Sequence, residues 1–426
     1  MTRGICLLVL LIVAAPAAAQ DTLTLEVLRR DAVAHDARWR QLGLQERAAR
    51  LRLGNIAAGR LPALSMLGEV THQSEVASIP ITLPGVDMPI PPKDRYAVTL
   101  DIEQLLYDGG VLDARRTGEE AALETELARV AALLHPLRAE VNEAYFDVLL
   151  LDSRRAEIAS LMAELEARLT LLRIQVAEGA ALPGDTAAVL AELLRAGQQR
   201  NEAEAGRRAA LAVLSDLTGR QIDDADVLVV PSADEALPAD PATAAQSHPQ
   251  FAVFDARRRQ LELQSSVIAA GTLPRVHAFG RFGYGRPGLQ QFAHELHDYW
   301  IGGVTVRWRP WSWGVTQREQ ELLRVEQQRV ELEAEAFTAQ LVRRTRSAAE
   351  QMSRLRSDLG IDEQIVALRE QVERQAAAQL EERAITYPEY IDARTDLQDA
   401  RIALHRHRIE LARLRAHYLT TLGRAP

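Results

Sequence analysis

Four segments of the chain alternate apolar and polar residues, a period of two that is typical of β-strands with two unlike faces. In the second segment Tyr96, Val98 and Leu100 fall on one face, whereas Asp101 and Glu103 fall on the other. The alternation predicts four strands, at about 62–73, 95–106, 274–285 and 298–309.

Each pair of strands is followed by a long segment whose apolar residues recur three and four positions apart, the period of an α-helix. These helical segments occupy 112–219 and 315–423, each with one turn near its middle. Leu123, Leu127 and Val130 open a heptad pattern, the seam of a coiled coil. A helix of about 65 residues would measure on the order of 100 Å. Pro136 is expected to kink the first helix or to mark a small break in it.

The same order of elements occurs twice because the chain contains an internal repeat. A shift of 204 positions, which is the separation of Leu100 from Val304 and of Gly219 from Gly423, aligns the second half with the first from strand to final helix. Helices preceding the strands complete each copy. The sequence therefore divides into a first repeat at 20–219, a linker at 220–240 and a second repeat at 241–426.

Residues 1–19 have the pattern of a secretory signal peptide. They have a short basic start with Arg3, continue through a short apolar run and end on the small residues Ala17 and Ala19, as a cleavage site requires. The only cysteine, Cys6, lies inside this segment. The mature chain would therefore contain neither disulfides nor thiolate metal sites.

The strands have the properties of membrane strands. They are about as long as a tilted strand that crosses a bilayer, and their polar faces carry charged residues such as Asp101 and Arg281. Aromatic residues concentrate at their ends, as in an interfacial girdle: Tyr96, Tyr107, Trp300, Trp308, Trp311 and Trp313. Four strands cannot close a barrel, so other copies of the chain must contribute. The sequence allows a dimer of about eight strands, a trimer of about twelve, or more.

The ordered motifs resemble those of the TolC-like outer-membrane efflux and secretion channels. The markers are the Leu-Pro pairs at 61–62 and 273–274, "LLYDGG" at 105–110, "HPQF" at 248–251, "LTG" at 217–219 and "LG" at 422–423. The resemblance covers essentially the whole mature chain. It implies a mainly α fold with membrane β-strands, in which a homotrimer shares a 12-stranded β-barrel and a coiled-coil α-helical periplasmic tunnel. It also implies a location in the outer membrane of a Gram-negative bacterium.

The resemblance further implies the partners and the sites. The partners are a periplasmic adaptor, an inner-membrane pump or ABC exporter, and outer-membrane lipid. The helical turns, which would dock the adaptor, contain Gly179, Ala180, Arg383 and Ala384. Thr386 and Glu389 form a capping box at the start of the last helix. Rings of acidic residues at the periplasmic mouth would comprise Glu389, Asp392 and, less closely matched, Asp185; they would favour cations. Helix-start acids stabilised by the helix dipole are the alternative.

The chain departs from the family at the second turn. Arg383 stands where the first repeat has Gly179, and the aromatic and basic latch of some members is replaced by Leu380 and Ile385. The sequence therefore leaves open how the mouth closes and which adaptor it accepts.

The expected function is that of an exit duct in a tripartite efflux or type I secretion system, for small molecules or polypeptides. A periplasmic coiled-coil scaffold or adaptor is the main alternative, although it would not need the aromatic girdle. An outer-membrane hydrolase would need a polar triad that the strands lack. We expect no enzyme activity and no cofactor, because the sequence has no nucleophile elbow, Walker loop or zincin motif. We expect no metal site, since the pairs His294/His297 and His405/His407 have no third ligand. The formal charge of −9 argues against a nucleic-acid partner.

Overall fold

The computed structural model describes residues 23–77, 90–232, 243, 246–382 and 384–424, without the side chains at 387 and 388. The predicted signal peptide with Cys6, part of the predicted linker, and Arg383 lie outside the described residues.

The fold is mainly helical, with one small sheet, as the sequence predicts. In chain order the described elements are α1 (Leu25–His35), α2 (Ala37–Ala58), β1 (Ala63–His72), β2 (Asp94–Tyr107), α3 (Val111–Ala177), α4 (Pro183–Thr218), α5 (Pro249–Ala270), β3 (Arg275–Arg286), β4 (His297–Arg307), α6 (Val315–Glu381) and α7 (Tyr387–Thr421).

The two longest helices, α3 and α6, each contain 67 residues. Helix α3 runs on through Pro136, so the expected alternative of a break is wrong. Leu134 and Leu137, on either side, are buried. Their packing keeps the helix intact although the proline cannot donate a backbone hydrogen bond.

Contacts between residues divide the chain into two compact units, each built from both repeats. The first unit contains the residues up to Asp36, His135–Ala244 and Val342–Pro426. Its core includes Leu28, Phe146 and Leu214, all fully buried. The Tyr145 hydroxyl lies in this core, and the carbonyl oxygens of Leu23 and Val229, at 3.0 and 2.5 Å, share its single proton.

The second unit contains Ala37–Leu134 and Ala245–Leu341 and carries the whole sheet. Helix α5 begins with Pro249, which has no N–H to leave unsatisfied, and His248 caps it by accepting a hydrogen bond from the Gln250 N–H at 3.1 Å. Phe251 and Phe254 of α5 pack edge-to-face on Phe337 of α6, with ring centroids 5.6 and 6.0 Å away. These contacts join α5 to α6 within this unit.

Candidate functional site: a two-faced sheet and two helical tips

The four strands form one antiparallel sheet in the order β1-β2-β3-β4. Leu100 is opposite both Met66 and Phe282, and Phe282 is opposite Trp300. Since directly paired residues project to the same side of a sheet, this register places most of the large apolar residues of the four strands on one face. The exposed large side chains of this apolar sheet face are Leu64, Met66, Val70, Tyr96, Val98, Phe282, Tyr284, Trp300, Val304 and Val306.

The opposite side, the polar sheet face, carries paired charges. Asp101 and Arg281 are direct cross-strand partners and form an ion pair. The Thr99 hydroxyl adds a hydrogen bond to Asp101 at 3.1 Å, and His277 Nδ1 lies 3.0 Å from the Glu103 carboxylate. The sheet thus presents mainly apolar side chains on one side. The other side carries a hydrogen-bonded charge network, interspersed with Leu67, Phe279 and Ile301.

The six predicted girdle residues lie towards the two ends of the strands. Tyr96 and Trp300 are near the end where loops join the strands, and Tyr107, Trp308, Trp311 and Trp313 are at the end where helices begin. All six are exposed, from 43% for Tyr96 to 81% for Trp313. Their position suits an interfacial girdle, which stays a prediction.

The two helical tips connect α3 to α4 and α6 to α7. At the first tip, the Ala180 N–H donates to the Gln175 carbonyl at 2.8 Å, and Gly179 has φ 77°. This arrangement is a Schellman closure, which favours glycine in the left-handed position. At the second tip, the Ala384 N–H donates to the Gln379 carbonyl at the same distance. The two tips therefore close with the same backbone hydrogen bond.

The predicted mouth residues Asp185 and Glu389 cap the helices that leave the tips. The Asp185 carboxylate accepts from the Leu182 N–H at 3.0 Å. Glu389 accepts from both the N–H and the hydroxyl of Thr386, at 2.7 and 2.8 Å. The backbone hydrogen bond, followed by the hydroxyl, lowers the pKa of Glu389. Both acids thus cap the helices that they begin, and both are exposed. Their part in an acidic mouth stays a prediction.

Asp392 belongs to an acidic cluster that sequence reasoning missed. It lines a cleft of about 390 Å³ between α3 and α7 together with Glu164 of α3. Burial, and then the charges of Asp392 and Asp399, raise the pKa of Glu164. Asp396 also contributes to this rise. The spacing of Asp392, Asp396 and Asp399, which places acids on one helix face, was the signal that could have identified the cluster.

No described helix has an apolar stretch long enough to span a membrane. Among the described residues, no group of three His, Cys, Asp or Glu side chains is placed to hold a metal ion.

Comparison with known proteins supports the resemblance inferred from the motifs. Residues 28–220 match the sequence model of a family described as "Outer membrane efflux protein". No curated protein sequence is significantly similar to the chain.

Solved structures of outer-membrane proteins share the fold. Crystal structures of CusC, described in terms of transmembrane channel formation, match with a TM-score of 0.70 at 14% identity, over 94% of this chain and 92% of that one. VceC of Vibrio cholerae matches with a TM-score of 0.66 at 15% identity, over 94% and 96%. The open MtrE outer membrane channel of Neisseria gonorrhoeae matches with 0.66 at 17% identity, over 94% and 89%. Residues 28–220 therefore match the outer membrane efflux protein family, and the chain has the fold of outer-membrane channels such as CusC, VceC and MtrE.

Proposed function

We propose that this protein is the exit duct of a tripartite efflux or type I secretion system in the outer membrane of a Gram-negative bacterium. The observation that carries the proposal is the two-faced sheet. Its exposed apolar face suits lipid, and its face with the Asp101–Arg281 ion pair suits an aqueous lumen. The match to an outer membrane efflux family supports the same function. Since family and fold are those of channels, we also infer that the chain has no catalytic activity.

The sheet edges support assembly into a homotrimer. Strands β1 and β4 are the outer strands, each paired on one side only within the described chain. An open edge in lipid would leave backbone groups without hydrogen bonds, which is costly. Three copies of the four strands would remove all edges in a shared barrel of twelve.

An exposed apolar stripe on α6 supports the same assembly. Ile361, Ile365, Leu368 and Val372 follow heptad spacing and are between 42% and 63% exposed. We call these four residues the α6 stripe. A coiled-coil seam of this kind, left open in one chain, requires another helix to cover it.

The internal repeat indicates which helix covers the stripe. Subtracting 204 from Ile361 gives Glu157 of α3, which pairs with Arg406 of α7 at 3.4 Å. Helix α7 corresponds in turn to α4, where Glu202 takes the place of Arg406. By this equivalence the α6 stripe of one copy packs on α4 of the next copy.

The tips and the acids would form the periplasmic end. We infer that Gly179, Ala180, Arg383 and Ala384 dock a periplasmic adaptor, which connects the duct to an inner-membrane pump or exporter. Glu389 and Asp392 would form acidic rings around the three-fold axis, with Asp185 in a lesser role. The capping hydrogen bonds of Asp185 and Glu389 are compatible with this arrangement because both carboxylates remain exposed.

Cross-linking tests the assembly directly, since the predicted mature chain has no cysteine of its own. The variant Ile361→Cys/Glu202→Cys, treated with a short thiol cross-linker, should give covalent dimers and trimers in membranes. The matched variant Glu157→Cys/Arg406→Cys should cross-link within one chain and keep the monomer mass. A soluble, monomeric product in both cases would favour the periplasmic scaffold instead.

Single-channel conductance of the purified oligomer in a planar bilayer tests the duct and its mouth. Glu389→Gln/Asp392→Asn removes the charges while keeping a side chain that can cap α7, and it should reduce cation selectivity. Glu331→Ala/Glu335→Ala removes the same charge from exposed positions of α6 and should leave selectivity unchanged. Failure of the wild type to form channels would refute the proposed function, whereas equal selectivity in all three would refute only the acidic mouth.

A further inference from the structure

The two repeats pass from strand to helix through the same backbone turn. Asp108-Gly109-Gly110 forms the first junction, between β2 and α3, and Ser312-Trp313-Gly314 forms the second junction, between β4 and α6. The second and third residues of each turn have positive φ: 71° and 84° in the first junction, 53° and 75° in the second. The turns are equivalent in conformation, so their side chains can be compared position by position.

Glycine is required in the first turn but has been replaced in the second. A Cβ at Gly109 would lie 2.6 Å from the Cβ of Leu273 and could not be accommodated. The equivalent residue in the second turn is Trp313, although a left-handed backbone is disfavoured for a bulky side chain. Trp313 is 81% exposed, so it does not gain core packing in return. Such an outlier suggests a functional reason.

Trp313 belongs to an exposed aromatic group. Its ring is edge-to-face with Trp311, with centroids 5.9 Å apart, and Trp311 is 68% exposed. Trp308 is also exposed, and its Nε1 donates to the Thr272 carbonyl at 3.2 Å. Exposed indole rings with a polar edge partition to the headgroup level of a bilayer.

Arginines beside these rings have no acidic partner. Arg309 and Arg318 are exposed, and neither forms an ion pair with a carboxylate of the described residues. Arg318 reaches back over the turn and donates from Nη2 to the Trp313 carbonyl at 3.2 Å. The second junction therefore combines two arginines that form no ion pair with two exposed indoles.

The first junction carries two acidic residues. Asp108 accepts from the N–H groups of Gly110 and Leu112, at 2.8 and 2.6 Å, and Asp113 pairs with Arg60 at 2.7 Å. In the second repeat, the positions of these two acids are occupied by Ser312 and Gln317. Arginines also follow the first junction, where Arg115 and Arg116 are exposed and Arg116 pairs with Glu120 at 3.2 Å. The two junctions therefore differ in the acids at positions 108 and 113, which the second junction lacks.

We propose that the second junction binds the phosphate of an anionic phospholipid, with Arg309 and Arg318 donating to the phosphate oxygens and Trp311 and Trp313 lying beside the headgroup. This inference rests on the proposed function, which puts the apolar sheet face in lipid. Arginine suits the site because its planar fork matches the geometry of phosphate oxygens. A phospholipid is favoured over soluble phosphate because the indoles adjoin the apolar sheet face.

The test compares the purified oligomer in nanodiscs of phosphatidylglycerol and of phosphatidylcholine, with native mass spectrometry counting the phospholipids that stay bound. The wild type should retain phosphatidylglycerol preferentially. Each arginine near a membrane surface gives about a fivefold preference for anionic lipid, so Arg309→Gln/Arg318→Gln should reduce the preference about 25-fold. The matched variant Arg115→Gln/Arg116→Gln, beside the first junction, should not change it.

Trp313→Gly separates binding from folding. The glycine adopts the left-handed backbone without strain, so thermal stability should be maintained or should rise while phospholipid retention falls. An unchanged lipid preference in Arg309→Gln/Arg318→Gln would overturn the proposal. If soluble glycerol phosphate is retained as well as phosphatidylglycerol is, the site binds a free phosphate and the proposal of a lipid is overturned. The same preparations are tested for conductance. An oligomer that conducts but shows no lipid preference would refute the lipid site and leave the proposed channel function standing.

Discussion

Replacing Leu368 in the α6 stripe should weaken the trimer more than the fold. Leu368 is 63% exposed in the single chain, and burying a whole leucine side chain contributes roughly 1.5–3 kcal/mol. Covering the exposed fraction is therefore worth about 1.5 kcal/mol for each copy. A trimer contains three such contacts, so Leu368→Ala should cost about 4–5 kcal/mol of assembly free energy, a change of roughly a thousandfold in the trimer dissociation constant.

The assay is native mass spectrometry of detergent-extracted protein over a dilution series, with circular dichroism recorded in parallel. The trimer should dissociate at a much higher concentration in Leu368→Ala, while helicity stays that of the wild type because the side chain makes little contact within its own chain. Leu368→Met, which keeps volume and apolar character, serves as the control and should assemble normally. A dilution midpoint that does not move in Leu368→Ala would refute the assignment of the stripe to the interface.

Further predictions concern the two units separately. Tyr145→Phe should lower the free energy of unfolding by about 1–3 kcal/mol in chemical denaturation, since the Leu23 and Val229 carbonyls lose their donor. Gly109→Ala should cost about 2 kcal/mol or more and lower the thermal midpoint, because its Cβ would overlap Leu273 and its φ is positive. Glu164 has a raised pKa, so the protonated form is favoured in the fold, and this contribution to stability is lost as pH rises through that pKa. Amide hydrogen exchange near Asp392 should therefore show less protection at neutral than at acidic pH, and Glu164→Gln should reduce this difference. An unchanged difference in Glu164→Gln would show that the ionisation of Glu164 is not its cause.

The strands and long helices could be predicted from the sequence because their periods differ so clearly. Alternation at Tyr96, Val98 and Leu100 placed these side chains on one face, and the sheet register has them there. The heptad from Val130 onwards likewise predicted residues that are buried in α3, such as Val141 and Val148. Both patterns are local, so a single sequence carries them.

The chemistry of the tips depended on contacts that periodicity does not encode. The Thr386–Glu389 pair could be anticipated as a capping box because the motif is local. The closeness of Glu164 to Asp392 joins two helices far apart in sequence, and only the packing of α3 against α7 brings these acids together. The left-handed backbone of Trp313 was equally hidden, since tryptophan is not a residue that predicts such a turn.

The repeats keep their backbone and change their side chains at the positions where the proposed trimer makes unlike contacts. In a ring of three two-repeat chains, contacts within one chain alternate with contacts between chains. The α3 position Glu157 meets Arg406 of the same chain as an ion pair, whereas its counterpart Ile361 is apolar and exposed. A polar contact inside a folded chain tolerates solvent, but association of separate chains gains more from apolar burial because it must offset lost translational freedom. This difference explains why the second repeat, rather than the first, carries the exposed heptad stripe.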